Sequence, residues 1–235
     1  MSSFVSLVLA AAAWIFVHIG VAGTVLRTHI VHAIGEGPFR GVFVLASFAL
    51  IFWLASAYHY AGAVEALWAT PYWMSVICML LMLPALVLFI GAVTVRNPTS
   101  VAGARALASE NPAQGVLRIT RHPMLWTFAI WAAIHMIIFG TLGASLFFGA
   151  FLVVALAGMP SLDAKIAKRD PHHWSEYAKV TSVVPFVAIA QHRNHFVFAE
   201  IGWWRILAAL VSWYVLLGAH QWLFHRPMWA VFLGS

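Results

Sequence analysis

The 235-residue chain is 63% hydrophobic and only 9% charged, and its mean hydropathy is +0.90. A soluble domain carries roughly 25% charged residues, so this composition excludes one and indicates an all-α, polytopic membrane protein. The formal net charge of +6 does not indicate nucleic-acid binding, because the basic residues lie in short loops between apolar stretches. Basic residues in such loops are typical of membrane proteins, where they set the orientation of the spanning helices.

About six transmembrane helices are predicted, forming a single domain over residues 1–235. The N-terminal apolar run has no charged residue before Arg27, which favours a retained first span over a cleaved signal peptide. The single cysteine, Cys78, excludes an intramolecular disulfide and a cysteine metal cluster. The predicted spans are residues 4–26, 41–60, 72–95, 124–139, 144–159 and 206–224, with an amphipathic cytoplasmic segment at about 161–200.

The distribution of basic residues predicts the orientation of these spans. The loops after the first, third and fifth spans carry twelve of the thirteen Lys and Arg residues, and the opposite side has only Arg226. Positively charged loops stay on the cytoplasmic side of a membrane. We therefore expect a protein of the bacterial inner membrane, surrounded by lipid, with both termini in the periplasm.

Four of the twelve histidines fall within predicted spans, namely His18, His59, His135 and His220. At a rise of about 1.5 Å per residue, three of them share the outer half of the bilayer and His18 lies near its middle. A polar side chain at this depth indicates function, and helix bundles build cofactor sites from facing histidines. Depth permits a haem between His18 and His135, while His59 and His220 stay open as alternative ligands.

An RHP motif, Arg121-His122-Pro123, precedes the fourth predicted span. Proline suits the first turn of a helix, and the two basic side chains suit the level of the lipid headgroups. His135 lies thirteen residues beyond His122, which places it about 20 Å deeper. The motif is therefore either a functional site near the membrane surface or a simple anchor of the helix.

Several segments together resemble the NnrU family of membrane proteins over most of the chain: HIGVAGTVLR, GPFRGVFVLASFALI, RHPMLW, WAAIH and TSVVPF. That family is named for its association with nitrogen-oxide metabolism in denitrifying bacteria, and it is similar to plant zeta-carotene isomerase, a haem b membrane enzyme. The resemblance implies haem b held by His18 and His135, with His122 as a further position adjacent to the cofactor site. It implies a role in nitrogen-oxide metabolism or in the redox isomerisation of a lipophilic small molecule.

A more distant resemblance implies different chemistry. The RHP motif with the later SEYAKVTSVVPF segment is similar to integral-membrane methyltransferases such as isoprenylcysteine carboxyl methyltransferase. It implies S-adenosylmethionine held by Arg121, His122 and Glu176, although Asp163 and Asp170 stand apart where that family has a diacidic motif. A third hypothesis is a non-catalytic assembly factor for a respiratory complex, in which the histidines only pack.

Overall fold

The computed structural model describes residues 2–61, 65–99 and 103–225. Apart from one isolated bridge between Ala66 and Thr141, the regular structure of these residues is helical. The all-α prediction is therefore confirmed. The helices are α1 (Ser3–Ile15), a π-helix (Phe16–Val21), α2 (Val25–Ile34), α3 (Glu36–Ala61), α4 (Tyr72–Thr94), α5 (Ala104–Leu107), α6 (Val116–Ile119), α7 (Pro123–Phe139), α8 (Leu142–Arg169), α9 (Pro171–Val180), α10 (Val187–Ala190), α11 (Phe198–Ile201) and α12 (Trp203–Phe224).

The chain is a multi-pass membrane protein. Five helices of the described residues are long and apolar enough to cross a membrane: α1 with the π-helix, α3, α4, α8 and α12. The shorter apolar helix α7 has 17 residues, which rise about 25 Å and lie at the lower limit for a crossing helix. Each of the six predicted spans thus contains an apolar helix, and the exposed apolar side chains of these helices are suited to contact with lipid.

Two boundaries differ from the predicted spans. The first predicted span, residues 4–26, does not continue as one helix, because Thr24 starts α2 by accepting a hydrogen bond from the backbone N–H of Leu26 at 3.2 Å. The fifth predicted span ended at residue 159, whereas α8 continues to Arg169. Hydropathy marks where a helix leaves the apolar layer, and it does not mark where the helix itself ends.

The chain divides into two compact units, and α7 and α8 each contribute residues to both. The first unit comprises the residues up to Thr70 together with Ala132–Gly158. Small side chains let α1 pack closely on α3, as is common between membrane helices. The buried core of this unit consists of Leu7, Ala10, Ala11, Trp14, Leu54, Ala57 and Ala150.

The second unit comprises Pro71–Trp131 and the described residues from Met159 onward. Its α4 and α6 approach so closely at Gly91 that a Cβ atom there would lie 2.5 Å from the Val116 side chain. Two buried clusters support this unit: Leu88, Val116, Ile119 and Ile201 form one, and Leu107, Ala113, Ile166 and Tyr177 form the other.

Candidate functional site

A buried polar cluster in the second unit joins Arg121, His122 and Asp163. The His122 side chain is fully buried, and its Nε2 lies 2.7 Å from Asp163 Oδ1. Arg121 donates to Asp163 Oδ2 from Nε at 3.0 Å and from Nη2 at 2.7 Å. Asp163 is a carboxylate, because it pairs with the permanently charged guanidinium of Arg121, and a carboxylate oxygen only accepts. His122 Nε2 therefore donates to it and carries a proton, and in the neutral imidazole Nδ1 carries a lone pair.

Local sequence fixes the position of His122. Pro123 begins α7, and Thr120 just before the motif accepts a hydrogen bond from the His122 backbone N–H at 3.2 Å. The Thr120 hydroxyl donates in turn to the Val183 carbonyl at 2.6 Å. The RHP motif is thereby tied to the segment that follows α9.

Reasoning from the sequence did not identify Asp163 as a partner of the RHP motif. A signal was nevertheless present, since no charged residue precedes Asp163 in the otherwise apolar start of α8. A carboxylate at the end of an apolar stretch needs a charged partner, and the basic pair Arg121-His122 could supply one. Sequence spacing alone does not show that the two elements meet.

The contacts of Arg121 are those of a residue that positions its neighbours. Its third nitrogen, Nη1, donates to the Thr181 carbonyl at 3.3 Å, and the guanidinium carbon lies 5.4 Å from the centre of the Trp174 ring. All three nitrogens therefore donate to protein oxygens. Glu176, assigned with them by the methyltransferase resemblance, pairs instead with Lys179 at 2.6 Å on the exposed face of α9.

Two buried polar atoms near this cluster have no hydrogen-bond partner among the described residues, His122 Nδ1 and Tyr177 Oη. Leaving such an atom unsatisfied costs about 1–3 kcal/mol. Burial raises the pKa of the Tyr177 phenol, so the hydroxyl stays neutral at physiological pH. The cluster therefore contains a neutral phenol and an imidazole whose Nδ1 has no hydrogen-bond partner among the described residues.

The first unit contains a second candidate site at His18, within the π-helix Phe16–Val21. Such π-helical turns are rare and occur frequently at functional sites. His18 Nδ1 lies 2.9 Å from the Trp14 carbonyl oxygen, and since a carbonyl only accepts, Nδ1 carries the proton. Ser47 Oγ lies 3.4 Å from Nε2 but donates its own proton to the Phe43 carbonyl at 2.8 Å. The lone pair of His18 Nε2 is thus left available.

A groove of about 400 Å³ lies beside His18, within the usual size range of ligand pockets. Trp14, Phe43 and Ser47 line this groove and also contact His18. The remaining lining residues are Val44, Phe48 and Ile51, all apolar. Apart from Ser47 the lining is apolar, so the groove suits a lipophilic molecule.

His135 lies in the same unit, with its ring centre 4.8 Å from that of Phe148. Ring contacts continue from Phe148 to Phe147 at 4.8 Å, from Phe147 to Phe151 at 5.4 Å and from Phe151 to Trp14 at 4.9 Å. His135 and His18 therefore lie at the two ends of a continuous aromatic path. That the two share a haem stays a prediction.

The other intramembrane histidines have different surroundings. The ring of His59 contacts its neighbour Tyr60. The ring of His220 contacts Phe224, and its Nδ1 faces the Leu216 carbonyl in the way that His18 faces the carbonyl of Trp14. Within the part of the chain that the structure describes, no three His, Cys, Asp or Glu side chains are grouped so that they could hold a metal ion. A haem site with two histidine ligands would need only two such side chains, so the absence of a group of three among these residues does not bear on it.

Comparison with known proteins gives two matches. The model of the family described as NnrU protein matches residues 6–228. Over 81 residues the chain is 36% identical to the chloroplastic 15-cis-zeta-carotene isomerase of Arabidopsis thaliana, a stretch that covers 34% of this chain and 22% of that protein. The chain thus matches well under half the length of this relative. No solved structure matches it significantly.

Proposed function

This chain belongs to the NnrU family, and on that premise we propose that it is a haem b-binding isomerase of the bacterial inner membrane. Its substrate would be a lipophilic molecule with a cis double bond. The similarity to a plant carotene isomerase supports this reaction class. The proposed haem ligands are His18 and His135, and the excess of basic residues in alternate loops supports periplasmic termini.

The observation that carries the proposal is the hydrogen bond from His18 Nδ1 to the Trp14 carbonyl at 2.9 Å. A metal-ligating histidine characteristically donates its other ring N–H to a carbonyl or carboxylate, which fixes its tautomer and orientation. His18 has that tautomer, so its Nε2 would be able to ligate a haem iron. The Trp14 ring beside His18 and the Phe148 ring beside His135 are flat and apolar, and a macrocycle would pack against such surfaces.

The protein's own residues would bind and orient the substrate. The lining of the groove beside His18 is apolar apart from Ser47, so it would hold an apolar chain and exclude water. The Trp14 carbonyl accepts the hydrogen bond from His18 Nδ1, and the Trp14 ring packs against the imidazole at an angle of 36°, with ring centres 4.0 Å apart. A bound haem would supply one-electron redox chemistry. Isomerisation adds and removes no atoms, so the reaction balances without a co-substrate.

A role in nitrogen-oxide metabolism is the second candidate, because the same haem ligands would serve it. The methyltransferase alternative gains less support, since Arg121 and His122 pair with Asp163 while Glu176 pairs with Lys179. A non-catalytic assembly factor would use the same histidines for packing alone.

The test is the visible absorption spectrum of the full chain, purified in detergent, first oxidised and then reduced with dithionite. A Soret band with sharp reduced α and β bands, lost in both His18→Ala and His135→Ala, is the expected result. His29→Ala is the matched control, since His29 Nδ1 also faces a backbone carbonyl, that of Val25 at 3.1 Å, but His29 lies outside the spanning helices and its loss should leave the bands unchanged. Colourless protein from haem-replete cells would refute the haem proposal.

The reaction is then tested by incubating the protein with 15-cis-zeta-carotene and separating the isomers by chromatography. Conversion that requires His18 supports the isomerase. Bound haem without conversion would favour the nitrogen-oxide role. Absence of both haem and turnover would favour the assembly factor.

A further inference from the structure

The segment between α9 and α12 exposes a group of aromatic side chains outside the spanning helices. Phe186, Phe196 and Phe198 are each between 46% and 64% exposed. Their rings are contiguous, with centres 6.4 Å apart from Phe186 to Phe196 and 6.4 Å apart from Phe196 to Phe198. Val184, also exposed, belongs to the same segment. We call Phe186, Phe196 and Phe198 the aromatic patch.

The backbone under the patch is held firmly. The Phe186 N–H donates to the Ile119 carbonyl at 2.8 Å, and the Val183 carbonyl accepts from Trp126 Nε1 at 2.8 Å. Asn194 donates from Nδ2 to the Val180 carbonyl at 2.8 Å. The exposed rings therefore lie on an anchored segment, and their exposure is a property of the fold.

Phe186 is held in a conformation that is unfavourable for its residue type. Its φ of 65° is left-handed, a region where a bulky side chain is strained. A surface turn of this shape in water would favour glycine or asparagine. The fold instead maintains both the strain and an exposed phenyl ring, which indicates that the ring has a function outside the protein core.

Charge and position identify the surface that this patch fits. Residues 181–199 contain no Asp or Glu, and the exposed side chains of His192, Arg193 and His195 lie among the aromatic ones in sequence. Shortly after Phe198 the chain enters the spanning helix α12 at Trp203, which is 76% exposed. Aromatic rings with basic neighbours at the end of a spanning helix are typical of the membrane interface.

We propose that the aromatic patch inserts into the bilayer at the Trp203 end of α12, between the headgroups and the acyl chains of anionic phospholipids. The basic side chains then lie at the level of the phosphates. Helix α9 does not perform this role: its Trp174 and Tyr177 pack on Leu107, Ala113 and Ile166 within the protein. Lipid contact of the predicted amphipathic segment is thus assigned to the region around 184–198.

The test places a nitroxide label beside the patch in the full chain, reconstituted in nanodiscs that contain phosphatidylglycerol. Val184→Cys leaves all three phenyl rings in place, and Cys78→Ser removes the native thiol. Should Cys78→Ser fail to fold, the wild-type background serves, because Cys78 is buried. Ser175→Cys on the exposed face of α9 is the matched control.

The label at residue 184 should collide more with oxygen, which concentrates in lipid, than with a water-soluble nickel chelate. The label at residue 175 should show the reverse preference. Replacing phosphatidylglycerol by phosphatidylcholine should raise nickel access at residue 184 several-fold. The proposal is overturned if residue 184 behaves like residue 175, which means a water-facing patch. It is also overturned if residue 184 is shielded from both reagents, which means that protein covers the patch.

Discussion

The fully buried His122 and the largely buried Asp163 form a hydrogen bond of 2.7 Å between Nε2 and Oδ1, although 41 positions separate them in the chain. The pair joins the start of α7 to the second half of α8 within one compact unit. Arg121 contacts the other oxygen of the same carboxylate at 2.7 Å. One carboxylate therefore satisfies both basic residues of the RHP motif.

Replacing Asp163 should destabilise the protein strongly. In Asp163→Asn the Arg121 charge loses its partner in a largely buried position, and breaking a buried pair in this way costs about 3–5 kcal/mol. Thermal unfolding of the purified chain in detergent, followed by circular dichroism, measures the loss. Asp170→Asn is the control, because Asp170 pairs with His173 on the surface and its loss should change the unfolding midpoint little. Equal effects of the two variants would contradict a structural role of the cluster.

The same cluster shows where sequence reasoning succeeds and where it stops. The spans were predictable because long apolar runs without charge have few alternatives to a membrane helix. Arg121 and His122 stood out as a motif, but their partner Asp163 depends on a packing contact that no local pattern encodes. Helix α2 was also missed, because its capping residue Thr24 lay inside an apolar run that was interpreted as one continuous span.

Two substitutions of Tyr177 should separate the stabilisation that comes from the packing of its ring from any that comes from a hydrogen bond of its hydroxyl. Its ring is buried against Leu107, Ala113 and Ile166, while its hydroxyl has no partner among the described residues. Tyr177→Phe removes an unsatisfied polar group and should leave stability unchanged or raise it by about 1 kcal/mol. Tyr177→Ala should lose about 3–5 kcal/mol, since it leaves a cavity. A marked loss in Tyr177→Phe, measured by the same unfolding assay, would reveal a hydrogen bond that the hydroxyl makes in the folded protein.

Gly115 should not tolerate a side chain. Its φ is +57°, and a Cβ atom would lie 3.1 Å from the Glu200 carbonyl oxygen. Gly115→Ala should therefore destabilise the protein by about 1–2 kcal/mol. Gly41→Ala is the matched control, because that glycine lies in α3 with no atom near its would-be Cβ, and alanine should stabilise the helix by roughly 0.5–1 kcal/mol. Opposite signs in the two unfolding midpoints are expected, and a neutral Gly115→Ala would argue against the left-handed turn.

The Arg118–Glu200 ion pair should make stability depend on pH in the acid range. Arg118 donates to Glu200 from Nε at 2.7 Å and from Nη2 at 2.8 Å, and the Gly115 N–H adds a third bond at 2.8 Å. These bonds hold the pKa of Glu200 below its ordinary value of 4.5. Because the folded pKa is the lower one, the stabilisation is complete above the unfolded pKa. It is lost as the pH falls through the folded pKa, where Glu200 takes up a proton.

The measurement is the unfolding midpoint from pH 7 down to about pH 3, compared between the wild type and Glu200→Gln. At pH 7 the variant should be less stable by about 1 kcal/mol, a value at the lower end for charge-assisted bonds because the carboxylate is partly exposed. The difference should begin to shrink as the pH falls below 4.5 and should reach zero only below the lower folded pKa, where both folded proteins carry a neutral group at residue 200. Glu176→Gln provides the control, because its exposed pair with Lys179 is screened by solvent. A difference between wild type and Glu200→Gln that stays constant with pH would mean that residue 200 acts through packing and that its charge contributes nothing.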